Sequence, residues 1–304
     1  MAHTTATPES DTDSAAIWLP QDLQQPLETM TRGQRIGNWL INPYKNYLIP
    51  AGWLKRLLQS SQSELLAETF RRPGGWRAME ILYRKDAPVD LLDRQAILDN
   101  PISRASRNRL QTVTQILIDL IQACQSDGPV ILMGVGAGPG RHVQTAISRL
   151  QLTADEVHAH LIDLDDDAFE YGQQLAEQLE IADCISFLQG DAREIQTVLQ
   201  DVKPNIVKLI GLIEYLNDQQ LHELLTSLHT IMVPGGNLVT HGILDPWHGA
   251  PSLKRIFNLQ HIRRSGDDVR RMLETVGFRV IDQVTEPMGI YPIVTAVKPA
   301  SESD

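Results

Sequence analysis

Apolar residues recur along most of the chain in two alternating patterns. Short apolar runs predict buried strands, and segments with an apolar residue every three or four positions predict helices. The alternation continues from about residue 130 to residue 297. It predicts parallel strands at five places, which are residues 130–133, 158–162, 185–189, 206–210 and 237–243.

Two further apolar runs, at residues 278–284 and 291–297, complete the pattern. The short gap between them contains Pro287 and Gly289 and cannot hold a crossover helix, so the two strands must be antiparallel. The sequence therefore predicts an α/β fold, with a doubly wound, seven-stranded, mostly parallel sheet that ends in a C-terminal antiparallel hairpin.

The part of the chain before the sheet has helical spacing and concentrates apolar bulk between residues 39 and 58. This segment has three interpretations. It packs on the sheet as a helical subdomain, it forms a lid over the ligand crevice, or it contacts a membrane surface, because Lys45, Lys55 and Arg56 alternate with aromatic residues. The predicted organisation is a disordered tail at 1–26, a helical N-terminal subdomain at 27–109, the sheet domain at 110–299 and a short tail at 300–304.

Composition narrows the class of protein. The net charge of −11 over 304 residues argues against general nucleic-acid binding, which depends on basic residues. Cys124 and Cys184 are the only cysteines, so neither a disulfide framework nor a cysteine metal site is expected. The first residues lack the features of a secretory signal, and no apolar run reaches the length of a membrane span. We expect a soluble cytoplasmic protein without a metal site.

A glycine-rich segment, Gly134–Gly140, directly follows the first predicted strand. Glycine permits positive φ and lets the backbone approach a ligand closely, because it has no Cβ. A dinucleotide fingerprint, Gly-x-Gly-x-x-Gly, would need its third glycine at Pro139 or Arg141, so neither frame fits. The Gly-x-Gly-x-Gly spacing from Gly136 to Gly140 favours a cofactor without phosphate.

Two acidic positions follow the next two strands. Asp163 ends the second strand, where the ligand crevice of an open α/β sheet lies, and its carboxylate can accept hydrogen bonds from both ribose hydroxyls. The competing role is a helix cap, which we assign instead to the run Asp165–Asp167. After the third strand, Gly190-Asp191-Ala192 can contact an adenine ring.

These signals, in this order along residues 110–299, resemble those of the class I S-adenosylmethionine-dependent methyltransferases. The glycine loop resembles the family's first motif, Asp163 its ribose acid, and Val233-Pro234-Gly235-Gly236 its turn before the fifth strand. One departure is Gly134, which stands where the family usually has an acid. Through residues 76–80 and 211–216 the chain is also similar to a group of uncharacterised bacterial methyltransferases.

The resemblance implies S-adenosylmethionine as the cofactor and methyl transfer as the activity. It implies cofactor contacts from Gly134, Gly136, Ala137, Gly138, Gly140, Asp163, Leu164, Gly190, Asp191, Ala192 and Gly211.

Candidate catalytic residues follow the fourth and fifth strands. Methyl transfer from a sulfonium is an in-line displacement in which positioning dominates, and a base is needed only when the acceptor must lose a proton. His241, at the carboxyl end of a strand, is the first candidate and Tyr215 the second. Other side chains there are Glu214, Asp245 and His248.

The expected acceptor is a small molecule or an amphiphilic, lipid-like compound, and membrane contact is expected through residues 39–58. Nucleic acid is not expected, because no Asn/Asp-Pro-Pro-aromatic motif follows the fourth strand. Two alternatives stay open. A non-catalytic scaffold would fit the missing acid at Gly134, and an NAD(P)-dependent oxidoreductase would share Asp163 but not the terminal hairpin. The acceptor atom and the oligomeric state stay open as well.

Overall fold

The structure is a computed structural model that describes residues 26–198 and 202–300. Its centre is a seven-stranded sheet in the order β3-β2-β1-β4-β5-β7-β6, with only β7 antiparallel to its neighbours. The strands are β1 Val130–Val135, β2 Val157–Asp163, β3 Ile185–Gln189, β4 Ile206–Leu209, β5 Asn237–His241, β6 Arg279–Thr285 and β7 Pro292–Val297. The predicted fold class, including the antiparallel C-terminal pair, is confirmed.

Helices flank both faces of the sheet and make up the N-terminal region. They are α1 Arg32–Pro43, α2 Ala51–Gln59, α3 Glu64–Arg71, α4 Trp76–Arg84, α5 Leu91–Arg94, α6 Pro101–Cys124, α7 Arg141–Leu150, α8 Asp167–Gln178, α9 Ile195–Val198, α10 Asp218–Ile231, α11 Ala250–Phe257 and α12 Gly266–Thr275. Two π-helical turns, Tyr44–Leu48 and Gln95–Asp99, extend α1 and α5.

Several helix starts follow from the sequence. The Asn217 side chain accepts a hydrogen bond from the Gln220 amide and forms a capping box that starts α10. The Asn100 side chain accepts a hydrogen bond from the Ile102 amide at the start of α6, where Pro101 takes the first helical position. These side chains satisfy backbone donors that have no partner inside the helix, so the helices begin where the sequence supplies a cap.

The core forms one layer on each face of the sheet. On one face, α6, α7 and α8 pack against β1 and β2 through residues such as Leu117, Ile147 and Leu161. On the other face, α10 and α12 pack through Leu224, Leu228 and Leu273. The apolar residues of α6 from Leu110 onwards are buried where they face the sheet, with Val113, Leu117 and Ile121 fully buried.

The N-terminal helices have a small apolar core of their own, which includes Leu65, Ile81 and Leu110. Helix α6 carries both this core and the sheet layer, and it runs through residue 110, where the sequence placed a domain boundary. The two regions therefore share a helix. The predicted tails lie outside the described residues, apart from Pro26 and Ala300.

The segment at 39–58 does not pack its large apolar side chains on the sheet, as the first of its three interpretations would require. Trp39 is 73% exposed and Trp53 is 74% exposed, whereas Asn42 and Asn46 are buried. The buried asparagine amides donate hydrogen bonds to the carbonyl oxygens of Trp247 and His248, at 2.5 and 2.6 Å. Hydrogen bonds thus attach this segment to the rest of the protein and leave its large apolar side chains exposed to solvent. No helix in the described part of the chain has the length and apolar character needed to cross a membrane.

Candidate active site

One cavity of about 600 Å³ opens at the carboxyl ends of β1, β2 and β4. This volume is within the range of roughly 300–1,000 Å³ that is usual for ligand sites. Nine of the eleven predicted cofactor residues line it, and Gly134 and Gly140 do not. Its other wall comes from α3, α4, α6 and α11, with no residue from 39–58. The structure therefore assigns the covering role to α3 and α4.

The glycine loop bends between β1 and α7 through three residues with positive φ, at +58° for Gly136, +54° for Gly138 and +78° for Gly140. A Cβ on Gly140 would overlap the Leu161 side chain. A Cβ on Gly138 would lie 3.3 Å from the Cβ of Trp76, at the start of α4. The loop is thus packed from below by β2 and from above by the N-terminal helices.

Gly134 lies inside β1, and no acid could replace it without rearrangement. A Cβ there would come 2.8 Å from the Cδ2 atom of Leu161 and 3.2 Å from the Cβ of Ala137. Its register partner on β4 is Lys208, which is 2% exposed and lines the cavity. Burial and the charge of Arg109 lower the pKa of Lys208 to about 8. A buried cation therefore lies beside the position of the missing acid.

Asp163 lines the cavity from the end of β2. Its carboxylate accepts hydrogen bonds from the Gly138 amide at 2.7 Å and from the Asp165 amide at 3.0 Å. The same side chain thus connects the glycine loop to the loop before α8. The helix cap that we expected from Asp165–Asp167 does not form, because the N-cap residue Asp166 makes no side-chain capping bond. The acidic charge in the first turn comes from Asp167 and Glu170.

The predicted adenine end contains an exposed apolar side chain and a short ion pair. Leu164 is 65% exposed and lines the cavity. Asp191 accepts hydrogen bonds from the Arg193 guanidinium and from the Arg193 amide. This pairing with Arg193 lowers the pKa of the Asp191 carboxyl. An adenine amino group would share Asp191 with this arginine.

A buried polar cluster lies at the inner end of the cavity, where α6 meets the segment after β4. Glu214 is 5% exposed, and its Oε1 atom lies 3.9 Å from the guanidinium of Arg109. Its Oε2 atom has no hydrogen-bond partner and lies 3.4 Å from Nε2 of His241. Arg109 also lies over the ring of Tyr291, at 4.4 Å. Arg109 and Glu214 line the cavity.

His241 does not reach the cavity. It is fully buried, its Nε2 accepts a hydrogen bond from the Gly211 amide at 3.0 Å, and its Nδ1 lies 2.8 Å from the Gly242 carbonyl oxygen. Both ring nitrogens are thus occupied by backbone. The structure brings Glu214 to the wall and leaves His241 behind it.

Tyr215 does line the cavity and is 43% exposed. Its hydroxyl lies 3.2 Å from Nε2 of His261, which also lines the cavity. Burial raises the pKa of Tyr215 and lowers the pKa of His261. Asp245 and His248, in the segment after β5, lie outside the cavity lining.

Sequence reasoning missed a buried ion pair between the two walls. Glu80 of α4 pairs with Arg141, the first residue of α7, and accepts a hydrogen bond from the Tyr171 hydroxyl at 3.1 Å. Arg141 is 2% exposed and Glu80 is 5% exposed. The one signal in the sequence was the segment at 76–80, which belongs to the family resemblance but carries no role in it.

Three neighbouring carboxylates, Asp165, Asp166 and Asp167, form the one group in the described residues with the spacing of a metal site. Arg72 pairs with two of them, at 3.0 Å to Asp165 and 3.1 Å to Asp167. These contacts tie the end of α3 to the start of α8 and compensate part of the acidic charge.

Solved structures share this fold. A protein from Bordetella parapertussis, described as a possible exported protein, is 19% identical with a TM-score of 0.62, covering 88% of this chain and 96% of its own. Magnesium protoporphyrin IX methyltransferase from Synechocystis PCC 6803, solved with S-adenosylhomocysteine, is 15% identical with a TM-score of 0.54, covering 76% and 97%. An O-methyltransferase family protein from Burkholderia thailandensis is 11% identical with a TM-score of 0.50, covering 78% and 72%.

A search of curated protein sequences finds no match to this chain. A family model described as "Putative methyltransferase" matches residues 85–298, which include the glycine loop, all seven strands and the polar cluster. This match and the fold agree with the predicted class I methyltransferase and not with the oxidoreductase alternative. The chain therefore belongs to this methyltransferase family and has the fold of the S-adenosylmethionine-dependent enzymes.

Proposed function

We propose that this protein transfers the methyl group of S-adenosylmethionine to a small amphiphilic acceptor. The observation that carries the proposal is a cavity in which the cofactor motifs form one wall and apolar residues of α3, α4 and α11 form the other. A cofactor and an acceptor bound in such a cavity lie against each other and away from water. Holding two reactants in line contributes up to about 7–11 kcal/mol to such a reaction.

The cofactor wall fits S-adenosylmethionine, which supplies a methyl group already activated on a sulfonium. In this proposal Asp163, which lines the cavity, accepts hydrogen bonds from the ribose hydroxyls. The exposed side chain of Leu164 offers an apolar surface to the adenine ring, and Asp191 offers a carboxylate to its amino group. The positive φ values of Gly136 and Gly138 let the loop backbone run along the ligand.

The acceptor wall is apolar with a few polar groups at one end. Leu65, Leu66, Leu82 and Phe257 line it, and Tyr215 with His261 lie at its rim. This arrangement suits an acceptor with an apolar body and a polar group to be methylated. A nucleic acid would need basic surfaces, for which the net charge of −11 gives no support.

Tyr215 and His261 are our candidates for removing a proton from the acceptor. Their side chains are hydrogen bonded at 3.2 Å and both line the cavity. The lowered pKa of His261 keeps its imidazole neutral and able to accept a proton near neutral pH. His241 has a positioning role in this proposal, because it does not line the cavity itself but accepts a hydrogen bond from the amide of Gly211, which does.

The test is formation of S-adenosylhomocysteine when the protein is incubated with S-adenosylmethionine and a panel of hydroxylated and carboxylated amphiphiles. We expect product with members of this panel. A Leu66→Trp variant fills the acceptor side, so it should bind S-adenosylhomocysteine like the wild type and lose transfer. Cofactor binding without turnover on any panel member would contradict the proposal and favour the non-catalytic scaffold.

We also propose that residues 39–58 contact an anionic membrane surface. Nine large apolar side chains there are exposed, namely Trp39, Leu40, Ile41, Tyr44, Tyr47, Leu48, Ile49, Trp53 and Leu57. Between Thr29 and Ser63 the chain has five basic residues and no acidic one, although its net charge is −11. Aromatic and aliphatic side chains beside basic ones are typical of segments that lie at the surface of anionic bilayers.

This surface is attached to the wall of the cavity. Arg255 of α11 donates hydrogen bonds to the carbonyl oxygens of Lys45 at 3.2 Å and of Ile49 at 3.0 Å. Leu253 and Phe257 of the same helix line the cavity. An amphiphile taken from a bilayer would therefore have a short path to the acceptor wall.

A further inference from the structure

The amino-acid end of the cofactor lacks its usual partner in this chain, because Gly134 stands where the family has an acid. Gly134 and Lys208 are register partners on neighbouring parallel strands, so both positions point to the same face of the sheet. Leu161 and Ala137 fill the space in front of Gly134. The polar side chain at this point of the sheet is therefore a cation on β4.

The Lys208 side chain has few hydrogen-bond partners among the described residues. Its ammonium is buried, carries three donors, and makes one hydrogen bond there, a long one of 3.3 Å to the Ile210 carbonyl oxygen. A buried charge without a close partner is costly, so an anion bound beside it would be favourable. The neighbouring charges that act on it are those of Arg109, which repels it, and of Asp163 and Glu214, which attract it.

Glu214 is the complementary group. It too is buried and lines the cavity, its Oε2 atom has no hydrogen-bond partner, and its Oε1 atom is no closer than 3.9 Å to the Arg109 guanidinium. A buried carboxylate of this kind can accept several hydrogen bonds from a ligand ammonium. One cation and one anion, both with unused hydrogen-bonding capacity, thus face the same end of the cavity.

We propose that Lys208 binds the α-carboxylate of the cofactor and that Glu214 binds its α-ammonium. The two side chains together hold the amino-acid end of the cofactor in place of the acidic residue that the family usually has at position 134. The ligand class that fits is a nucleoside carrying a zwitterionic amino acid. This inference rests on the proposed function only in requiring that the cavity binds the cofactor.

The experiment compares three ligands by calorimetric titration of the full chain. The first is S-adenosylhomocysteine, the second is S-adenosyl-3-thiopropylamine, which lacks only the carboxylate, and the third is 4-(adenosylthio)butyrate, which lacks only the amine. We expect the wild type to prefer S-adenosylhomocysteine to each analogue by about 10- to 100-fold, as for a charge-assisted hydrogen bond.

Two variants then assign each preference to a side chain. Lys208→Met should weaken the binding of S-adenosylhomocysteine by about 10- to 100-fold. It should leave the affinity for the decarboxylated analogue unchanged, because that analogue has no carboxylate for the Lys208 ammonium to bind. Glu214→Gln should weaken the binding of S-adenosylhomocysteine by a similar factor. It should leave the affinity for the deaminated analogue unchanged, because that analogue has no ammonium for Glu214 to bind. Lys203→Met is the matched control, since Lys203 precedes the same strand but is exposed, and it should change nothing.

A purely structural role would appear as an equal loss for all three ligands, and that result would overturn the inference. Equal affinities of the three ligands for the wild type would overturn it as well. Both outcomes leave the proposed function standing, because S-adenosylhomocysteine still binds. If it does not bind the folded wild type at all, the proposed function fails together with the inference.

Discussion

The two walls of the cavity are built in different ways. The cofactor wall consists of short segments at strand ends, where positive-φ glycines and the Asp163 carboxylate shape the backbone. The acceptor wall consists of side chains from helices, held on the sheet domain by ion pairs and hydrogen bonds that span long stretches of sequence. Backbone geometry thus defines one wall, and a few polar contacts position the other.

Among these contacts, the buried pair of Glu80 and Arg141 should matter most. Glu80→Ala leaves a guanidinium that is 2% exposed without its carboxylate, and losing one partner of a buried pair typically costs about 3–5 kcal/mol. We expect a loss of this size in urea unfolding. A loss below about 1 kcal/mol would mean that the two walls are held together by other contacts.

The cofactor wall should respond to backbone changes instead. Gly140→Ala adds both a side chain at a φ of +78° and an overlap with Leu161, so we expect it to cost about 2–4 kcal/mol of stability. Gly211→Ala is the matched control, because its φ is +88° but a Cβ there meets no atom within 4 Å. It should cost about 1 kcal/mol. Equal costs would show that space in front of Gly140 is unimportant.

Changes in the exposed apolar surface at residues 39–58 should affect membrane binding without affecting either wall of the cavity. The double change Trp39→Ala and Trp53→Ala should reduce binding to vesicles of phosphatidylcholine with phosphatidylglycerol by at least about tenfold, without affecting stability. Co-sedimentation measures the binding. The control is Val89→Ala with Leu91→Ala, which removes exposed apolar side chains elsewhere. The membrane proposal would be contradicted if the wild-type protein did not bind anionic vesicles. It would also be contradicted if the protein formed dimers through this surface.

The smallest effect is expected for the exposed contact between the walls. Arg72 pairs with Asp165 and Asp167, but its side chain is 44% exposed. Exposed ion pairs contribute about 0–1 kcal/mol, so Arg72→Ala should barely shift the unfolding midpoint. A cost approaching that of Glu80→Ala would show that α3, and not α4, anchors the helical wall.

The cofactor wall was accessible from the sequence because its signals are local. Each one is a run of consecutive residues at the end of an apolar strand, so the loop at 134–140, Asp163 and the segment at 190–192 could be ordered along the chain. The same holds for the sheet, whose strands lie close to their predicted bounds. The terminal antiparallel pair followed from loop length alone.

The polar cluster was not accessible in this way. Arg109 lies on α6 and Glu214 lies in the segment after β4, and only the packing of α6 against the sheet brings these two residues together. Lys208 did leave one trace, a charged residue inside the apolar strand β4, where buried parallel strands are usually continuous in apolar residues. Residues 39–58 are a similar case. The hydrogen bonds of Asn42 and Asn46 decide which face of this segment is buried, and the opposite face is therefore exposed.

The central claim is that the glycine loop and Asp163 hold S-adenosylmethionine. It is tested most directly by titrating the wild type, Asp163→Ala and the control Asp166→Ala with S-adenosylhomocysteine, and the wild type with NADH. We predict saturable binding to the wild type and the control, at least about tenfold weaker binding to folded Asp163→Ala, and no binding of NADH. Unchanged affinity in folded Asp163→Ala, or binding of NADH in place of S-adenosylhomocysteine, would contradict the claim.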